Sequence, residues 1–392
     1  MRSLLPLLFT SAIAAPAAAQ TPPQTVGAVI VTARDQAGLL EKRPSSTVFG
    51  YDKPLLETPR SATFASAETL ERYGVRTIDD LVAVTPGGFT DSYYGVPGAL
   101  SLRGTLAETY FDGFKRIENR GTYPTPIGAA ERVEILRGPP APIDGPGKVG
   151  GLLNIVPKTA RGERGALVTT PTGDIEAQAG AYGFAKLEGQ FATPLSLGAL
   201  PGAVRAYAEI ERGAEYYRGV QPTHYLLQGR YDLDLPNDWR LAFSGQAEQV
   251  EGAVQTPGWN RLTQTLIDHG AYLTGRDTTL KDSNGDGRLT PNEIGAGGLI
   301  AGYFGFRPGP DPRFTLDQGV GTAKLSRRTV FTSPADFSDT DTRTFLASAT
   351  HTDAGGGRLN VSLFYDDLYN RRFVSYGFPA AYDARTEELR AS

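Results

Sequence analysis

Cysteine is absent from all 392 residues, which removes disulfides and thiolate metal centres from consideration. Histidine occurs only 3 times, which leaves little for a His-based metal centre. The formal net charge is −4, with 39 basic residues against 43 acidic ones, so the chain carries no nucleic-acid footprint. Nor do a nucleophile, a base and an orienting residue come together in any motif, and His224, His269 and His351 lie far apart. Nothing points to an enzyme. The apolar stretch from Leu4 to Ala15 falls short of the roughly 20 residues of a membrane-spanning helix. It follows Arg2 and precedes Ala17-Ala18-Ala19, the order of an export signal over residues 1–19.

Glycine (47), tyrosine (18) and phenylalanine (18) are plentiful in a chain of negative mean hydropathy, a composition that suits many short strands and turns. The organising stretch runs from Glu131 to Lys158. Val133 and Ile135 alternate with Arg132 and Glu134, which predicts a half-buried strand. Leu152, Leu153, Ile155 and Val156 form a second apolar run. Between them Gly138, Pro139, Pro140, Gly145, Pro146, Gly147, Gly150 and Gly151 exclude a helix, so two strands flank a tight, glycine-walled corner. Glycine-rich loops can cradle phosphate, but no helix and no Gly-Lys-Ser/Thr follows.

Arg-Val-Glu-Ile-Leu-Arg-Gly-Pro followed by Gly-x-Gly-x-x-Gly-Gly-Leu-Leu-Asn-Ile-Val-Pro-Lys resembles the end of the plug domain of TonB-dependent outer-membrane receptors, most closely the siderophore-receptor branch. Thr58-Pro59-Arg60-Ser61, Leu100-Ser101-Leu102-Arg103-Gly104 and Tyr110-Phe111-Asp112-Gly113-Phe114 resemble further plug motifs in the family's order. The resemblance implies an α+β plug over residues 47–160, after a periplasmic linker over 20–46. In that linker Val29, Ile30, Val31 and Thr32 match the place of the TonB box, which the TonB energy-coupling protein recognises. Five β-prone residues in a flexible context suit strand addition to a partner's sheet, although an ordinary edge strand reads the same way.

Within the plug region a short helix is expected from Glu68 to Tyr73, ending at Gly74. A second is expected over Thr77–Val82, with Thr77 as N-cap and Asp80 three residues on. The resemblance implies that Arg103, Glu134 and Arg137 lock the plug to the barrel wall by ion pairing; a solvated salt bridge is the plainer reading. It also places two loops toward the outside, Phe89 to Gly98 and Lys115 to Thr125. Phe89, Tyr93, Tyr94, Arg116, Arg120 and Tyr123 combine aromatic faces with cations, which suits an anionic, partly aromatic ferric chelate and equally suits a bland surface.

From residue 174 a period of two dominates. Val204, Ala206, Ala208 and Ile210 alternate with Arg205, Tyr207, Glu209 and Glu211. Tyr225 to Leu235, Trp239 to Ala247 and Leu359 to Tyr365 repeat the pattern, and Pro236-Asn237-Asp238 is a short turn between two of them. Strands of roughly ten residues, with short turns on one side and long loops on the other, predict an antiparallel transmembrane β-barrel over 161–392. A soluble antiparallel sandwich is the competitor. About seven or eight strands fit, against the roughly 22 of such transporters. Ala384 to Ser392 reads as a polar, helix-prone tail, so the chain is expected to be the N-terminal part of a longer receptor.

The long loop 252–340 contains Asp282-Ser283-Asn284-Gly285-Asp286-Gly287-Arg288-Leu289-Thr290-Pro291-Asn292-Glu293, which fits the twelve-residue calcium loop. Asp282, Asn284, Asp286, the Arg288 carbonyl, Thr290 and Glu293 would form the shell, while Asp/Asn/Gly-rich surface loops are also common. The expectation is a Gram-negative outer-membrane receptor importing a ferric siderophore, with TonB and outer-membrane lipid as partners, structural calcium, and no covalently bound cofactor. The alternatives are import of another solute, such as a cobalamin or glycan, and a secreted, calcium-stabilised β-domain binding protein.

Overall fold

The computed structural model describes residues 44–48, 50, 52–54, 57, 59–93, 96–119, 123–141, 147–162, 165–213, 216–252, 264–276, 285, 318–329, 336–375 and 379–392. Apolar residues at alternate positions, cut by Gly and Pro, divide the first domain into short strands. These are β1 (Ala62–Ser66), β2 (Gly88–Tyr93), β3 (Val96–Leu102), β4 (Thr105–Leu106), β5 (Glu108–Phe111), β6 (Phe114–Lys115), β7 (Ala130–Arg137) and β8 (Gly151–Pro157). One sheet has the order β1-β7-β8-β5-β6, and β2-β3-β4 form another.

Helix α1 (Ala67–Arg72) starts where the Ser66 hydroxyl accepts from the Thr69 N–H at 3.1 Å, satisfying one of the free donors of its first turn. It ends at Gly74, whose φ of +63° costs a glycine little. The second expected helix is instead a 3₁₀ turn over Asp80–Val84. Thr77 and Asp80 do meet, but the Asp80 carboxylate takes the Thr77 N–H and hydroxyl at 2.9 Å each, spending the capping chemistry on a turn before the helix. The segment expected as a loop from Phe89 is mostly the β2–β3 hairpin.

The glycine-walled corner forms as its residues require: β7 and β8 pair antiparallel, Arg137 opposite Gly151. A Cβ at Gly151 (φ +150°) would stand 2.1 Å from the Leu136 carbonyl oxygen, so no other residue fits. Strand β7 is not half-buried, however. Val133, Glu134, Ile135 and Leu136 are all inaccessible, because α1 and the 3₁₀ turn pack one face and Val48 and Phe64 the other.

After residue 171 the strands lengthen: β9 (Thr172–Ala179), β10 (Ala185–Pro194), β11 (Gly202–Arg212), β12 (Thr223–Leu235) and β13 (Trp239–Glu251). Helix α2 (Gln264–His269) and the hairpin β14 (Ala271–Arg276) and β15 (Gln318–Lys324) lie in the long insertion. Then come β16 (Phe337–Thr352), β17 (Arg358–Ser375) and β18 (Pro379–Ala391). Eight of these make one antiparallel sheet, β18-β17-β16-β13-β12-β11-β10-β9, in which β13 pairs directly with β16 across the insertion. The expected helix-prone tail is strand β18, because β17 offers it a pairing edge from Leu363 to Ser375 and its own residues alternate in the pleat.

The sheet has inverted polarity. One face exposes Ile175, Leu187, Phe191, Ile210, Tyr225, Leu227, Phe243, Phe345, Leu359, Val361 and Leu363. The other buries Lys186, Gln228, Asp232, Ser244, Gln246, Glu248, Thr342, Thr344 and Asp366. On β12 the outer positions from Tyr225 to Leu235 carry no charge. That length is about 33 Å along the strand, or about 25 Å along the normal at a tilt of about 40°, the height of a barrel's apolar band. Beyond it the outer face turns charged, with Asp339 paired to Arg371 at 2.7 Å and Asp367 to Arg385 at 3.0 Å.

Candidate functional site: the seam between the first domain and the strand wall

The polar face of the sheet is buried against the first domain, and charges at inward positions of the strands find partners there. Next to the short turn of residues 236–238, the Ala160 N–H donates to Asp232 at 2.9 Å, and Arg161 pairs with Asp234 at 2.7 Å. Arg205 on β11 donates to the Thr159 carbonyl at 2.7 Å. One row further up, Arg230 reaches Asp112 at 2.9 Å, and Phe114 stacks on Phe364 at 5.2 Å. Gln228 donates to the Ala129 carbonyl at 3.2 Å.

The most enclosed contact joins Arg116, in the segment after β6, to Asp366 on β17; both side chains are about 95 % buried or more. Arg116 donates through Nη2 and Nε at 3.2 and 3.4 Å, the Ile117 N–H adds a bond of 3.0 Å, and the Thr344 hydroxyl one of 2.8 Å. Four donors around one carboxylate supply what a buried charge needs. Burial alone would push the Arg116 guanidinium down, and the Asp366 carboxylate leads the opposing charges that turn the shift upward. Tyr123 lies beside it, buried, its hydroxyl donating to the Ile117 carbonyl at 2.6 Å; burial pushes its phenol up. Asn119 ties the same segment to β3, donating to the Gly98 and Tyr123 carbonyls at 2.9 and 2.6 Å.

A second inward network spans the wall itself. Lys186 holds Glu188 at 2.8 Å and Glu209 at 3.1 Å, and His224 bridges Glu209 and Glu248 at 3.1 and 2.9 Å. The readable signal for it is charge at inward positions of adjacent strands, which alternation alone locates. No motif marks it, and the sequence reading missed it.

The structure redistributes the expected site residues. Glu134, fully buried, takes Arg132 at 2.6 Å, Asn154 at 3.0 Å and the Thr47 hydroxyl, all in the first domain. Arg137 donates to the Pro86 carbonyl, Ser61 and Thr63, at 2.9, 3.2 and 2.7 Å. Burial and then the neighbouring Arg103 charge push Arg137 down, so Arg103 and Arg137 oppose each other. These partners of Glu134 and Arg137 lie in the first domain, and the contacts to the eight wall strands come from other residues. Glu134 and Arg137 brace the first domain internally, because the β7–β8 corner surrounds them, while Asp112, Arg116 and Arg161 reach the wall.

Among the expected ligand residues, Phe89 is exposed on β2 and Tyr93 ends that strand. Arg116 and Tyr123 are buried, Arg116 on Asp366 and Tyr123 on the Ile117 carbonyl. Tyr94 and Arg120 lie outside the described residues, as do Val29, Ile30, Val31 and Thr32, and the loop residues Asp282, Asn284, Asp286, Arg288, Thr290 and Glu293.

Residues 54–152 match the family described as TonB-dependent Receptor Plug Domain. The probable TonB-dependent siderophore receptor PiuA of Acinetobacter baumannii is 30% identical over 164 residues, 41% of this chain and 21% of that protein. The ferripyoverdine receptor of Pseudomonas aeruginosa is 24% identical over 212 residues, 52% of this chain and 24% of that protein. These matched segments cover less than a quarter of the length of either relative. In fold it is similar to the pyoverdine outer membrane receptor FpvA of Pseudomonas aeruginosa, with TM-score 0.66 and 17% identity, covering 91% of this chain and 46% of that one. The siderophore receptor PiuA of Acinetobacter baumannii superposes with TM-score 0.61 and 18% identity, over 91% and 45%. The first domain matches the plug family over residues 54–152, and the strands after it follow the fold of such receptors as part of a barrel. The apolar outer face of the sheet matches the lipid-facing wall expected of a membrane barrel.

Proposed function

We propose that this chain, a TonB-dependent receptor of the siderophore branch, belongs to an importer that captures a ferric siderophore outside the cell and passes it to the periplasm. The observation that carries the reading is a plug packed by its charges on the polar face of a sheet whose other face is apolar. A soluble sheet buries its apolar face, because water rewards that arrangement. Here the apolar face is the exposed one, which suits lipid. The plug meets the wall by salt bridges and amide hydrogen bonds. Such contacts can exchange for water one at a time, whereas an apolar seam would have to open at once.

In this reading TonB engages residues Val29 to Thr32 and pulls on the plug, and no chemical catalysis occurs. The family is one of transport receptors. Replacing Val29 to Thr32 by a Gly-Ser stretch in the receptor as the cell makes it tests the reading. Uptake of iron from a ferric siderophore under iron limitation should stop, while binding of the same chelate to cells is retained. Uptake that continues unchanged contradicts it.

A further inference from the structure

Where the resemblance put a cation among aromatic rings, on the plug segment after β6, the structure has buried both Arg116 and Tyr123. The same chemistry stands half-exposed at another place. The β9–β10 turn carries Tyr182, the β11–β12 loop carries Tyr216 and Tyr217, and the segment after β15 carries Arg328. All three loops lie at the end of the sheet opposite the short turns 195–201, 236–238 and 353–357.

Tyr182 and Tyr216 meet edge to face at 5.9 Å, and Tyr216 and Tyr217 at 5.4 Å. The Arg328 guanidinium lies 4.7 Å from the Tyr182 ring and 5.9 Å from the Tyr216 ring, held by its Nε donating to the Tyr216 carbonyl at 2.8 Å. Tyr182 is 51% exposed and Tyr216 43%. Tyr182 also holds φ +61°, a left-handed conformation that a bulky residue seldom adopts, within an Ala-Tyr-Gly turn. Among the described residues no carboxylate pairs with Arg328. The guanidinium is oriented by rings and a carbonyl, none of which cancels its charge.

From this arrangement we infer that Tyr182, Tyr216, Tyr217 and Arg328 form a binding site for a ferric chelate of the aromatic, anionic class, in which ring-borne phenolate oxygens hold the metal. Phenolate oxygens accept from a guanidinium, and their rings stack on exposed tyrosine faces. Iron held by aliphatic hydroxamates offers neither rings nor comparable net charge, so the cluster discriminates against it. The inference rests on the siderophore reading and adds to it the chemical class of the ligand and the loops that select it.

The test is equilibrium binding of two probes, the ferric complexes of a tris-catecholate and of a tris-hydroxamate, to receptor extracted from outer membranes in detergent. Unaltered protein should bind the catecholate complex at least tenfold more tightly. Arg328→Gln should weaken that complex about tenfold and reduce its sensitivity to salt, with Arg328→Lys intermediate and Tyr182→Gly about as weak as Arg328→Gln. Arg218→Gln, an exposed cation of the same loop, should change nothing. Far-UV circular dichroism confirms that each variant retains its sheet. If the hydroxamate complex binds as tightly and neither probe responds to Arg328→Gln, the cluster only staples loops, and this assignment falls while the siderophore reading stands. If an intact protein binds neither chelate, both fall.

Discussion

A buried carboxylate is tolerated when donors surround it, and Asp366 has four of them, three from the plug segment and one from the wall. Removing the acid while leaving Arg116 would strand a guanidinium in the seam, at a cost of about 3–5 kcal/mol. Asp366→Ala should therefore loosen the plug far more than Arg116→Met combined with Asp366→Leu, which removes both charges and keeps volume. Proteolytic release of the plug from detergent-extracted receptor measures this. Equal release from the single and the double variant would mean that the pair carries no such role. Asp366 sits at an inward position of a predicted strand, so its burial is legible from alternation. Its partner is not legible, because the sequence places Arg116 in an outer loop and says nothing of where that loop folds back.

Elements were more legible where geometry leaves few choices. The β7–β8 corner follows from its glycines, and Gly151→Ala should cost several times the ~1 kcal/mol of a typical point substitution, since the added carbon meets the Leu136 carbonyl. Thermal unfolding of the plug should shift downward by many degrees, against almost no shift for Gly162→Ala, where a Cβ meets open space. Equal shifts would show that the corner is less tight than drawn. The 3₁₀ turn at Asp80–Val84 shows the opposite case: its capping signal was present, but the Asp80 side chain satisfied Thr77 and Arg76 before a helix could begin. Strand β18 was misread as helix-prone because propensity ignores the open edge that β17 presents.

At the scale of the whole chain, the period of two predicted the polarity of the wall strands, and the length after the plug predicted their number among the described residues. The period did so because a lipid-facing sheet writes its environment at every second residue. The lock between plug and wall was not predictable in the same way. Glu134 and Arg137 belong to the β7–β8 corner that the motif marks, whereas the wall contacts join that domain to strands with no motif of their own, as Arg116 to Asp366 does. Only a folded seam brings those together.

Because the chain has no cysteine, single cysteines can be placed at will to test whether the apolar face meets lipid. Leu227→Cys, Phe243→Cys and Leu363→Cys on the outer face, and Gln228→Cys, Ser244→Cys and Ser362→Cys on the inner one, would be probed in intact outer membranes. The outer set should react with a lipid-dissolved maleimide and resist a charged, water-soluble one, while the inner set should resist the lipid-dissolved reagent. Reaction of the outer set with the charged reagent as fast as an unfolded control would contradict the account.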